Sequence, residues 1–435
     1  MTKPGKSRQE NLIRSVELLR DTGIRHDSIK AIKHIQARKG QYEDYPSEVH
    51  PAITGALKRK GFNQLYSHQR RSWDHLNNKK NIVVVTPTAS GKTLCYNLPV
   101  LDKIMKNPSA RAIYLFPTKA LAQDQRAELD ETIKLLPEEI RIFTYDGDTP
   151  QDARKAIRAR GHIILTNPDM LHTGILPHHT KWIKLFENLE YIVIDELHNY
   201  RGIFGSHLAN ILRRLKRIAA FYGSSPRFIL CTATIANPVE IAERMTEEPV
   251  SLVDNNGAPH GEKYIIFYNP PVINEFLGIR SSYVNESRRI ARLFLKNGLQ
   301  TIVFAGSRLI TEVLVTYLKN DIEKTVKDEG KIRGYRGGYL PLRRREIEKG
   351  LREGKIKGVV STNALELGID IGSLDVAVLA GYPGTISSTW QRAGRAGRKM
   401  TASAAVLIAR SSPLDQFIIN NPEYFFSKNP EQALI

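Results

Sequence analysis

The chain has 435 residues, a hydrophobic fraction of 41% and a charged fraction of 25%, the proportions of a globular protein of two or three domains. Its net charge of +19 is far from what a small-molecule enzyme needs and selects a polyanion, nucleic acid above all, as partner. No apolar run reaches the ~18 residues of a membrane span, the basic start MTKPGKSRQE lacks the apolar stretch of a secretory signal, and two cysteines cannot make a disulfide scaffold or a cysteine-rich zinc site.

Residues 1–50 read as a polar, helical N-terminal extension in which SVELLRDTG closes a helix at Gly23. From residue 51 to 249 the pattern changes. NIVVV, RAIYLF, RIFTY, HIILT, YIVID and RFILCT are short β-branched runs separated by helix-length stretches. That alternation predicts a parallel sheet covered on both faces. Cys95 and Cys231 fall in this apolar text and are read as buried free thiols of a reducing cytosol. Residues 250–271, with DNNGAPHGEK and YNPPV, read as a linker. The alternation restarts over 272–420: TIVFA, KIRGY, GVVST, DVAVLA and SAAVLIA are strands, SRLITEVLVTYLKN and LPLRRREIEKGLREG helices. The fold class is therefore α/β, two tandem units, each a mostly parallel sheet flanked by helices. Residues 421–435 read as the truncated start of a further C-terminal region. No wedge-like hairpin is legible in either unit.

Three segments carry chemistry. In NIVVVTPTASGKTLCY a buried strand runs into a tight loop and a helix, the context in which backbone N–H groups and a helix N-terminus cradle phosphates. The loop comprises Thr86, Pro87, Thr88, Ala89, Ser90, Gly91, Lys92 and Thr93. Lys92 would reach the β- and γ-phosphates and Thr93 would ligate Mg²⁺. Thr86 and Ala89 stand where this loop commonly has glycine, so left-handed backbone there would be strained. In YIVIDELHNY a strand delivers Asp195 to hold the metal and Glu196 to orient the attacking water, with His198 placed to couple them to the rest of the chain. In SSTWQRAGRAGRKM, Arg392, Arg395 and Arg398 recur every third residue; on a helix that spacing keeps them near one face, as a solvated basic face would be, but Gly394 and Gly397 weaken a helix and permit close approach, which favours arginine fingers.

The ordered set TPTASGKT, FPTKALAQDQ, TNPDML, DELH, TAT, TIVFAGSR, STNALELGID and QRAGRAGR resembles the motif series of superfamily-two helicases, in the DExH group. It spans residues 65 to 398. LYSHQRRSWD, YRGGYLPLRRREIE and ALELGIDIGSLD further resemble the branch of the bacterial DNA-repair helicase mitomycin repair factor A and its fungal RecQ4-like relatives. The resemblance implies two RecA-like domains, over 51–249 and 272–420, with ATP and Mg²⁺ as cofactors. It assigns Gln69 to the adenine edge, Thr232 and Thr234 to coupling, Gly368 and Asp370 to the nucleotide, and Gln391, Arg395 and Arg398 to the γ-phosphate. It assigns phosphate contacts on nucleic acid to Pro117, Thr118, Lys119, Asn167, Pro168, Asp169, Ser307, Arg308, Thr362 and Asn363, and Arg336 and Gly337 look like another.

Contacts to phosphates do not discriminate bases. The implied partner is single-stranded DNA, with tailed or forked duplex, and the implied activity is a 3′-to-5′ translocase of DNA repair. A monomer at the cytoplasmic nucleoid is expected, with no membrane partner. The group's four-cysteine zinc site is not expected in these residues. An RNA helicase and a catalytically idle nucleic-acid scaffold are the competing readings. Basic runs at Lys58–Lys60, Arg213–Arg217 and Arg343–Arg345 are read either as a path for DNA or as solvated faces.

Overall fold

The computed structural model describes residues 4–25, 27–324, 329–366, 368–369, 371–372, 374–397, 400–428 and 430–435. The chain forms two compact units. One comprises Gly40–Ala258 with Glu431–Ile435, the other the residues before Gly40 with Pro259–Pro430.

The first unit is built on seven strands, all parallel. From edge to edge they are Val250–Val253, Asn81–Val85, Arg227–Thr232, Leu189–Ile194, Arg111–Leu115, Ile163–Thr166 and Ile142–Thr144. The side-chain period of two explains why the central positions of these strands are apolar on both faces. Ile82 and Val84 pack into one core with Leu98 and Leu101, whereas Val83 and Val85 pack into the opposite core with Leu208 and Leu212. Each such side chain contributes about 1.5–3 kcal/mol when fully buried. Both cysteines lie in this unit, free and buried.

The main sheet of the second unit also has seven strands: Ile29–Ile35, Lys263–Tyr268, Ser403–Ile408, Val376–Ala380, Thr301–Ala305, Gly358–Ser361 and Ile332–Tyr335. Only Ile29–Ile35 is antiparallel to its neighbour. The Lys263–Tyr268 strand leads through Pro270 and Pro271 into a two-stranded ribbon, Val272–Asn274 paired with Ile279–Arg280.

Three boundaries differ from the sequence reading. Residues 1–50 are not one helical extension: a helix spans Pro4–Arg25, and Ile29–Ile35 is an edge strand of the second sheet. Its Lys30 and Lys33 make it read as polar text, but lysine is what an exposed edge tolerates. The linker is shorter than 250–271, since Val250–Val253 and Lys263–Tyr268 are sheet strands. The boundary at 421 also shifts, because residues beyond it pack on the two units. Phe425 is 1% exposed and stacks on Trp390, while Ala433 N–H donates to Asn237 Oδ1 at 2.8 Å in the first unit. Among the described residues no helix is long and apolar enough to cross a membrane.

The N-terminal helix buries Leu12, Val16 and Leu19 in the core that holds Ile266, Phe294 and Val406. Leu19 is fully buried, so Leu19→Ala should cost about 2–5 kcal/mol. Hydrogen exchange should show protection lost in Lys263–Tyr268 and Ser403–Ile408 and kept in Asn81–Val85. Equal loss in both sheets would refute the assignment of this helix to the second unit.

Candidate nucleotide and nucleic-acid sites

All strands of the first sheet run one way, so the segments that follow them meet at one edge. Val85 pairs with Thr232, Ile194 with Leu230 and Leu115, and Leu115 with Thr166. The loops after these residues therefore start from one line. They are 86–93, 195–198, 117–119, 167–169 and 232–234, the segments expected to carry the chemistry.

The phosphate loop is held by its own polar atoms. Thr86 Oγ1 and Ser90 Oγ lie 2.6 Å apart, and the Lys92 ammonium donates to Thr86 O at 2.7 Å and Pro87 O at 3.1 Å. Two of its three N–H bonds are thus spent on backbone carbonyls, weaker acceptors than a phosphate oxygen. Gly91 caps the helix Lys92–Lys106 in the left-handed region, φ +79°. Ala89 also adopts φ +63°, as expected of a glycine position, at a cost of about 1–2 kcal/mol. Thr86 is not left-handed, so its replacement of glycine carries no strain there. Gln69 is nearly buried. Its Oε1 accepts from Tyr66 N–H and its Nε2 donates to Gly91 O, both at 2.9 Å, leaving one N–H and one lone pair for an adenine edge.

Beside this loop, burial first and then the Glu196 charge push the Asp195 carboxyl well above the usual carboxylate range, against the pull of Lys92. Tyr96 OH lies 3.0 Å from Gln125 Oε1 and 3.3 Å from Asp195 Oδ2, its one hydrogen shared between the two acceptors, and Thr93 Oγ1 donates to the same Gln125 oxygen at 3.3 Å. Tyr96 and Gln125 thereby join the two expected metal ligands, and neither was singled out from sequence. The signal was there for Tyr96, which lies three residues after Thr93 on a helix. Glu196 is left-handed, φ +54°, and its N–H donates to Asp195 Oδ1 at 2.8 Å.

His198 connects the acidic pair to the next strand. Its Nδ1 lies 3.5 Å from Glu196 Oε2, 3.4 Å from Thr232 Oγ1 and 3.4 Å from Ala233 N. As imidazolium this nitrogen donates to Glu196; as neutral acceptor it takes the Ala233 N–H. Thr234 is exposed. Along the same edge, Thr118 caps the helix Lys119–Ile133, Lys119 pairs with Asp148 at 2.9 Å, and Asn167 Oδ1 accepts from Met170 N–H ahead of an exposed Asp169. Pro117 and Pro168 begin these turns.

In the second unit Ser307 caps the helix Arg308–Ile322 and Arg308 is exposed. Arg336 Nε donates to Glu312 Oε1 at 3.0 Å, next to an open Gly337. Thr362 and Asn363 begin a short helical turn after Gly358–Ser361. Gly368 belongs to the loop that follows, whereas Asp370 and Arg398 lie outside the described residues.

The helix Ile386–Ala393 ends before Arg395, so Arg392 and Arg395 do not share a helical face. Gln391 is buried. Arg392 pairs with Glu366 Oε2 at 2.9 Å, and Arg395, 1% exposed, donates to Ile369 O at 3.0 Å and Glu366 O at 2.6 Å. A guanidinium has five donors, and an irregular buried loop needs that many. Ser388 Oγ also donates to Glu366. Glu366 therefore fastens this helix to the loop 362–372, a role unseen in ALELGID because an acid in a loop reads as solvated. Gly397 does serve close approach: its φ is +78° and a Cβ there would lie 2.2 Å from Ser403 Oγ. Within the basic runs Arg213 pairs with Glu247 and Lys216 with Glu248, each at 2.7 Å, and Arg59 donates to Leu135 O at 2.6 Å.

Two consequences can be measured. Arg392 and Glu366 side chains are 12% and 13% exposed, so Glu366→Ala strands a buried cation. It should cost about 3–5 kcal/mol by denaturation of the second unit, with Glu366→Gln costing less because an acceptor remains. In the first unit, buried His68 accepts from Gly257 N–H at 3.2 Å, and burial lowers its pKa from 6.5 to about 4. The folded pKa lies below the unfolded one, so stability is full above pH 6.5 and falls as pH drops toward 4, by about 3 kcal/mol at 1.36 kcal/mol per unit. His68→Asn should flatten that acid limb in Tm against pH; an unchanged limb would show that other groups set it.

The DEAD/DEAH box helicase family matches residues 66–241 and the helicase conserved C-terminal domain matches residues 263–400. The chain is 56% identical over 401 residues to the ATP-dependent helicase YprA of Bacillus subtilis, a match covering 92% of this chain and 53% of YprA. It is 37% identical over 421 residues to the ATP-dependent helicase HRQ1 of Saccharomyces cerevisiae, covering 95% of this chain and 39% of HRQ1. The structure of the helicase MrfA bound to DNA superposes with a TM-score of 0.92 at 54% identity, over 96% of this chain and 56% of MrfA, and MrfA bound to both DNA and AMPPNP gives the same score. The chain thus spans about half the length of these relatives. Each domain match falls on one of the two seven-stranded sheets, the first on the sheet whose edge carries the Lys92 loop and the Asp195–Glu196 pair, and the chain belongs to the DExH-box ATP-dependent helicases of superfamily two.

Proposed function

We propose that this chain is the ATP-driven motor of a DNA helicase, hydrolysing ATP to move 3′-to-5′ along single-stranded DNA in DNA repair, at the nucleoid of the cell. One observation carries the reading: an unbroken series of contacts from Thr93 through Gln125, Tyr96, Asp195, Glu196 and His198 to Thr232, all along one sheet edge. An idle scaffold has no use for such a series.

The residues fit a magnesium nucleotide. Asp195 is a carboxylate that burial disfavours as an anion, and a divalent cation offsets that cost. Thr93 and Asp195 would hold the metal. Bound MgATP would supply the phosphoryl group and the charge that polarises it. Lys92 would exchange its loop carbonyls for phosphate oxygens. Glu196 would orient the attacking water and accept its proton. His198 would report the state of Glu196 to the Thr232 segment.

DNA rather than RNA is supported by the DNA carried by the similar MrfA structures; the basic charge of this chain serves either polymer. The phosphate-contact residues, Thr118, Lys119, Asn167, Ser307, Arg308, Arg336, Thr362 and Asn363, carry no base readout.

Lys92→Ala should abolish steady-state ATP hydrolysis, and Glu196→Gln should bind ATP while hydrolysing it at least ~10²-fold more slowly. Normal turnover in either variant would sink the assignment. Poly-dT should stimulate the wild-type rate more than poly-U, and the stimulation should fade steeply with salt as phosphate contacts release counterions. Stronger stimulation by poly-U would favour the RNA reading.

A further inference from the structure

The ribbon after the strand Lys263–Tyr268 exposes more apolar surface than any role so far requires. Phe276 is 97% exposed, Ile273 69%, Leu277 62%, Ile279 46% and Val272 42%. Isolated two-stranded ribbons are marginal in water. This one is fastened at both ends. Asn274 Oδ1 accepts from Leu277 N–H at 3.0 Å, and Gly278 takes φ +63° to close the turn. At the base, Ser281 N–H donates to Pro271 O and Arg280 Nη1 to Pro270 O, each at 2.8 Å. A stiff turn that presents a bare aromatic ring costs solubility, and such a patch marks a contact.

Its place in the sheet names the contact. Tyr268, Ile408, Ala380 and Ala305 pair in one row across four parallel strands, and Phe304, Ser361 and Tyr335 continue it. The ribbon therefore leaves from the same edge as Ser307–Arg308, Thr362–Asn363 and Arg336–Gly337. From the Lys263–Tyr268 strand to the Ile332–Tyr335 strand is five strand spacings, roughly 24 Å. The row of phosphate contacts thus has an aromatic tip at one end. Polar loops can hold a backbone, but only a flat apolar surface suits the face of a base.

We propose that the ribbon Val272–Arg280 is a base-stacking pin, in which Phe276, flanked by Ile273 and Leu277, packs on the base exposed where single-stranded DNA joins duplex. This rests on the reading of the chain as a motor on single-stranded DNA. Stacking on one aromatic ring is comparable to the stacking lost when one base step opens, so a single ring can hold a junction open by one step. The pin gains nothing from a uniform single strand beyond the phosphate grip.

The test compares Phe276→Ala and Phe276→Trp in the full chain. Anisotropy measures affinity for a dT oligonucleotide and for a duplex with a dT tail of the same length. The wild type should prefer the tailed duplex by about tenfold. Phe276→Ala should lose that preference with dT affinity and dT-stimulated ATPase intact, and Phe276→Trp should keep it. A preference unchanged in Phe276→Ala, or an equal loss of affinity for both DNAs, overturns the pin; the first outcome is also what a ribbon serving a protein partner would give. If the wild type neither binds dT nor is stimulated by it, the motor reading itself fails. If it does both without any junction preference, only the pin fails.

Discussion

A strand buried on both faces has nowhere to display a functional group except at its end. That constraint organises both units. In the first sheet every residue from Ile82 to Val85 is committed to one core or the other, so the chemistry begins at Thr86, where the strand stops. Because all seven strands run the same way, all seven endings fall on one edge, and five of them begin the segments expected to carry the chemistry. The second sheet repeats the device, and its single antiparallel strand, Ile29–Ile35, is an edge strand.

Loops at such an edge lack the ladder that stabilises strands, and here charged side chains replace it. Lys92 ties Thr86 and Pro87, and Arg395 ties Glu366 and Ile369. The two cases differ in reserve. An ammonium resting on two carbonyls exchanges them easily for phosphate oxygens, whereas a guanidinium at 1% exposure is part of the fold until its loop moves. The same distinction separates Arg392, locked to Glu366, from the exposed Arg308.

Most of the fold was legible because apolar β-branched runs in a doubly covered sheet have few alternatives; RFILCT and TIVFA are strands over the residues expected. Ile29–Ile35 was missed because edge strands are half polar, and its partner lies more than two hundred residues away. Val250–Val253 was hidden by the loop-like text that follows it. The phosphate loop and the acidic pair were legible because strand, loop and helix are contiguous there. Glu366 and Gln125 were not, because their roles are set by partners on other elements, Ser388 and Arg392 for one, Thr93 and Tyr96 for the other. At Arg392 a spacing of three admits a helix, but Gly394 caps it, and Arg395 beyond the cap turns into the fold to hold Ile369 and Glu366.

Five described non-glycine residues adopt positive φ, and two of them, Ala89 and Glu196, lie on the phosphate edge within the candidate site. Each costs about 1–2 kcal/mol relative to an ordinary conformation. At Glu196 the strain has a visible product: it turns the N–H onto Asp195 Oδ1 while the carboxylate swings to His198. An unstrained residue there could serve one neighbour or the other. At Ala89 it turns the loop within four residues so that Ser90 can reach back to Thr86 and Lys92 can lie across the hollow. The surrounding sheet, buried on both faces, is stable enough to hold both residues in place. A core with no polar function is thus what makes a strained, reactive edge possible.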